Sequence, residues 1–105
     1  VAHGAILRIR AKNPRLADQL ASNHRKAEIT PRQRAMLDFA MKVALRAQEI
    51  DEADHAALRA HGFDDDAIWD IGAIAAFFGM SNRIVNFAGI APNDEFYLMG
   101  RLPKA

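Results

Sequence analysis

Cysteine is absent from all 105 residues. That excludes a disulfide framework, a thiolate zinc site and any thiol chemistry performed by these residues themselves. A strand pattern is missing as well: no stretch alternates apolar and polar residues with β-branched enrichment, so the fold class is all-α. Low-complexity segments and internal repeats are not found, and with half of the residues hydrophobic the chain is rich enough for a packed core rather than disorder. The charge-free window between Asp70 and Arg83 falls well short of the ~20 apolar residues that a bilayer span needs, so no membrane partner is expected. There is no initiator Met and no visible signal peptide. The expectation is therefore a cytoplasmic protein, with residues 1–105 as the remainder of something longer.

Net charge is also nearly absent, at +1, but it hides an asymmetry: residues 1–48 hold ten Lys/Arg against three Asp/Glu, and residues 49–105 hold four against ten. Two complementary surfaces, within one fold or across an oligomer interface, account for this more simply than nucleic-acid binding.

What the sequence does contain is helical punctuation. Residues 64–89 hold the densest apolar run: Asp64 to Asp66 suit a helix N-terminus and Gly89 suits the position after its end. Between Ile71 and Met80 this helix is apolar on every side, which predicts burial all round, in a core or at a subunit interface. Residues 1–12 read as the latter part of a helix whose beginning is missing. Asn13 and Pro14 open a short amphipathic helix over residues 14–23, with Asn13 as cap. Residues 24–29 read as a loop. Thr30-Pro31 opens a longer helix reaching residue 50, with Met36, Phe39, Ala40, Val43, Ala44 and Ala47 as its apolar stripe. Asp51, with Asp54 three residues on, caps a helix that Gly62 ends. Residues 93–101 read as a last turn in which Phe96, Tyr97 and Leu98 dock on the core.

The candidate chemistry is sparse. His55 and His61, six residues apart, fall on different sides of a helix, and His24 sits among Arg25 and Lys26, so all three read as surface residues. His3 lies on the apolar first helix, where a lone histidine reads as structural. Residues 55–74, two helices flanking Gly62, imitate a helix-turn-helix, but the second helix would present Asp64, Asp65 and Asp66 to phosphates, so no nucleic-acid partner is expected. Asn82, Arg83 and Asn86 either line a pocket or simply meet water. Trp69, Phe77 and Phe78 read as core or interface aromatics, and the carboxylates of residues 64–66 as caps rather than cation ligands.

The segments PRQRAMLDFA, LRAHG and SNRIVNFAG together resemble the C-terminal half of the peroxidase-related branch of the alkylhydroperoxidase D and carboxymuconolactone decarboxylase superfamily, over residues 30–101. The resemblance implies an orthogonal helical bundle, here incomplete at its N-terminus, with residues 1–105 forming the C-terminal portion of a single such domain. The family's catalytic signature is C-x-x-C-x-x-x-H, and His3 with the following Gly4 looks like its last piece. On that reading both cysteines would lie upstream of Val1. The family reduces peroxides with this dithiol, without metal or haem, using a dithiol reductant, and its histidine relays protons together with an upstream glutamate. His3 is the one catalytic residue that the resemblance assigns here, and residues 1–105 alone are inert by this mechanism. It also implies a homo-oligomer. Two alternatives stay open: a lactone-acid decarboxylase using a basic, histidine-bearing pocket, and a non-catalytic helical module that oligomerises through residues 64–89.

Overall fold

The computed structural model describes residues 1–101, and among them every regular element is helical. They form two compact units. One is Ile29–Gly89; the other joins residues 1–28 to the segment that begins at Ile90.

In Ile29–Gly89, three helices follow one another: α3 (Pro31–Arg46), α4 (Glu52–Ala60) and α5 (Asp65–Ala88). Each start is set locally. Thr30 accepts a hydrogen bond from the Gln33 amide while Gln33 reaches back to the Thr30 amide, a reciprocal capping box with Pro31 in the first turn. Asp51 and Asp54 form the same device at α4. Asp64 accepts from the Ala67 amide at 2.8 Å to start α5, and Gly89, left-handed at φ 74°, ends it. Phe39 of α3, Leu58 of α4, Phe63 and Ile68 of α5 form the core, edged by Met36, Val43 and Ile71. Arg32 lies over the Phe63 ring at 3.9 Å and donates to the His61 carbonyl, sealing the α4–α5 turn. Lys42 and Asp54 pair at 2.9 Å and tie α3 to α4.

Three expectations for this unit are corrected. α3 stops at Arg46, four residues short of the predicted end, and residues 47–49 tighten into a 3-10 turn before the Asp51 cap. α5 is not buried all round in a core of the described residues: Ile68 is its buried residue, while within the stretch 71–80 Ile74, Phe77 and Met80 stand 58%, 57% and 55% exposed, which leaves the subunit-interface alternative. The reason is geometric, since α3 and α4 cover one face of a 24-residue helix and nothing else in the unit covers the other. His55, expected at the surface, is half-buried with its ring edge-on to Phe39. By length and mean hydropathy (1.2) α5 passes a membrane-span test, yet Asp70 and Arg83 leave an uncharged run from Ile71 to Asn82 of ~18 Å, against a ~30 Å hydrocarbon core.

The other unit packs α1 (Ala2–Arg10) on α2 (Leu16–Asn23), with the short α6 (Glu95–Leu98) beside α1. Ala5 and Ala17 are its buried helical residues, and such small side chains let two helix backbones approach closely. α2 starts two residues later than expected. Asn13 does not cap it but accepts from the Arg15 amide at 3.0 Å, and this Asx turn places Pro14 and Arg15 before the helix. Residues 24–26, expected as loop, form a 3-10 turn capped by Asn23. Glu28 then exchanges hydrogen bonds with Gln19 and accepts from Asn13, closing the connection. Tyr97 and Leu98 do not dock as expected, being 49% and 58% exposed. The segment is held instead through its backbone.

Candidate active site

That backbone attachment builds the site. The guanidinium of Arg8, on α1, donates from Nε to the Met99 carbonyl at 3.0 Å and from Nη2 to the Phe96 carbonyl at 3.2 Å. Gly100 makes this approach feasible: at φ +76° it occupies backbone space that side chains disfavour, and a Cβ there would stand 2.9 Å from Arg8 Cβ. Arg101 continues the strap across to α2, pairing with Asp18 at 2.9 Å.

The strap and the two helices enclose a cavity of ≈ 480 Å³, within the range of small-molecule sites. His3 and Arg8 stand on its α1 wall, Asp18 on α2, and Tyr97 and Arg101 on the strap; Leu7, Ala17 and Leu20 make it partly apolar. His3 is exposed. Among the charged side chains of the cavity lining are Arg8, Arg101 and one carboxylate, Asp18, which Arg101 holds.

A second, larger depression of ≈ 880 Å³ lies in Ile29–Gly89, over Phe39, Val43 and Ile68, with Trp69 and Ala76 at its edge. Its charged groups satisfy one another. Arg59 pairs with Glu52 and, at 2.9 Å, with Asp65, and these carboxylates push the Arg59 guanidinium still further up from its ordinary range. His55 lies 3.9 Å from Glu52. The ionic part is thus a surface network laid over apolar packing, with no group directed at a ligand.

The remaining candidates separate. Asn82, Arg83 and Asn86 are exposed, and Arg83 donates to the Gly79 carbonyl one turn back. His61 is exposed, and His24 is half-buried in the turn after α2. Among the carboxylates expected as caps, Asp64 caps α5 and Asp65 engages Arg59. Sequence reasoning missed Arg8, Tyr97 and Arg101 as cavity residues because the fold brings α1 to the strap: 88 and 91 residues separate Arg8 from its two carbonyl partners. The one local hint was Gly100 beside an arginine.

No protein-family model matches the chain, and no curated protein does either. Solved structures do. A crystal structure described as an alkylhydroperoxidase core, an uncharacterized peroxidase-related protein from Ralstonia eutropha JMP134, superposes with a TM-score of 0.91 at 64% identity over 98% of this chain. This chain belongs to the peroxidase-related branch of the alkylhydroperoxidase D superfamily. A second such protein, from Silicibacter sp. TM1040, agrees at 44% identity over 95% of the chain with a TM-score of 0.92. The chain spans about half the length of these relatives, 54% of the first and 52% of the second. The expected family, and the all-α fold that it brings, are therefore correct.

Proposed function

We propose that this chain is part of a thiol peroxidase, and that His3 serves its active site as proton donor and acceptor. The observation that carries the reading is the 64% identity, over nearly the whole chain, to a peroxidase-related alkylhydroperoxidase core. The placement of His3 on the wall of a cavity supports it.

Reducing a peroxide takes two electrons, and by the family resemblance these come from paired thiols that are not among residues 1–105. A thiolate attacks the terminal peroxide oxygen and the O–O bond breaks. The departing alkoxide takes a proton, which His3 supplies, and leaves as the alcohol. The sulfenic acid so formed condenses with the second thiol, releasing water and leaving a disulfide, which a dithiol reductant returns to the reduced pair. No metal or haem is part of this scheme.

The exposed side of α5 supports assembly as a homo-oligomer. At 3.6 residues per turn, Trp69, Ala73, Ala76, Phe77, Met80, Ile84 and Phe87 share one face. Three of them, Trp69, Phe77 and Phe87, are 76%, 57% and 80% exposed. At ~200 Å² per aromatic side chain, those three alone leave roughly 400 Å² of ring surface in water, about the size of the largest apolar patch on a typical monomer. With Met80 and Ile84 the face approaches the ~800 Å² per partner of a stable interface.

The test uses the full-length polypeptide. It should consume tert-butyl hydroperoxide in the presence of a dithiol reductant, and lose this on replacement of the paired cysteines by Ser. His3→Asn should lower kcat/KM by ~100-fold, the lower end for loss of a proton-transfer group. Absence of peroxide consumption, or its survival without the cysteines, overturns the reading.

A further inference from the structure

Arg8 has more donors than the strap uses. Its Nε and Nη2 are committed to the carbonyls of Met99 and Phe96, which fixes the plane of the guanidinium. The Nη1 arm lies at the Gly4 end of α1, 3.7 Å from where a Gly4 Cβ would be, and Arg8, Gly4 and His3 all line the cavity. Both groups that hold Arg8 are neutral, so its positive charge is oriented but not offset by them. Arg101, the other cation on the wall, spends its charge on Asp18. Past these polar groups the wall is Leu7, Ala17 and Leu20.

We infer that this cavity binds an aliphatic carboxylate, with the Nη1 arm of Arg8 taking the carboxylate and the apolar wall taking the chain. The inference rests on the peroxidase reading for one consequence: the preferred substrate is an organic hydroperoxide that bears a carboxylate, such as a fatty-acid hydroperoxide, rather than a small neutral peroxide. An oriented guanidinium with two of its donors already fixed loses little freedom on binding, and its bond to a carboxylate is charge-assisted.

Two measurements on the full-length protein test this. In the first, calorimetry compares decanoate with decanol, which needs no turnover. Decanoate should bind about tenfold more tightly, and Arg8→Met should reduce that ratio to about one while Arg8→Lys keeps part of it. Equal affinity for decanoate and decanol in the wild-type protein overturns the inference, whatever the variants do. In the second, kcat/KM for a fatty-acid hydroperoxide is compared with that for its methyl ester. A ratio near ten, falling in Arg8→Met, supports the inference; a wild-type ratio near one overturns it and leaves the peroxidase reading standing. If decanoate binds selectively and through Arg8 while no peroxide is consumed, the carboxylate site stands and the peroxidase reading falls.

Discussion

Asp54 does two jobs with one carboxylate. It accepts from the Asp51 amide as half of the α4 capping box and binds Lys42 of α3 through both oxygens, at 3.0 and 2.9 Å. The hydrogen bond from Lys42, helped by the one from the Asp51 backbone, holds its pKa below the ordinary 3.8. The sign of the linkage follows: a depressed folded-state pKa gives stability that is fully present above the unfolded value and is lost as the pH falls through it toward the folded one. Urea midpoints measured between pH 6 and pH 3 should therefore drop further in the wild type than in Asp54→Asn, with the difference confined to the region below about pH 4. Parallel pH dependences in the two proteins would show that the pair contributes nothing. Gly100 gives a second residue-scale expectation. Gly100→Ala forces a left-handed backbone on alanine and puts a methyl 2.9 Å from Arg8 Cβ, so the strap should detach from α1. Hydrogen exchange of α6 and α1 amides should then rise at least tenfold, while α3 and α4 stay protected.

At the level of elements, what could be read in the sequence was whatever a few neighbouring residues decide. Thr30-Pro31 with Gln33, Asp51 with Asp54, and Asp64 with Gly89 fix three helices by contacts spanning two to four residues at each end, and their starts fall where expected. Asn13-Pro14 shows the limit of the same logic. A cap and an Asx turn use the same side-chain oxygen, and which one forms depends on whether Pro14 and Arg15 can join the helix; here they do not. The exposure of α5 was beyond the pattern altogether, because all-round apolarity tells that a helix wants cover without telling what supplies it. The site divides in the same way. His3 was singled out by a family resemblance, whereas Arg8, read as a cation suited to a helix C-terminus, owes its place on the cavity wall to carbonyls that lie most of the chain away.

For the whole molecule, the uncovered face of α5 sets the expected behaviour in solution. Sedimentation of the full-length protein should show a homo-oligomer, and Phe77→Ser combined with Phe87→Ser should shift it toward smaller species without loss of helical signal. An unchanged sedimentation coefficient would exclude this face as the contact. The division of the chain into units has another consequence, which concerns the order of events at the ribosome. Ile29–Gly89 is one uninterrupted stretch and can fold once it has emerged. The unit with the cavity is discontinuous: α1 and α2 emerge before Ile29–Gly89, and the carbonyls that Arg8 binds emerge after it. His3 and Arg8 must therefore wait, on a helix without its strap, until nearly all of the described chain has been synthesised. The cavity is thus completed only after the intervening unit has emerged.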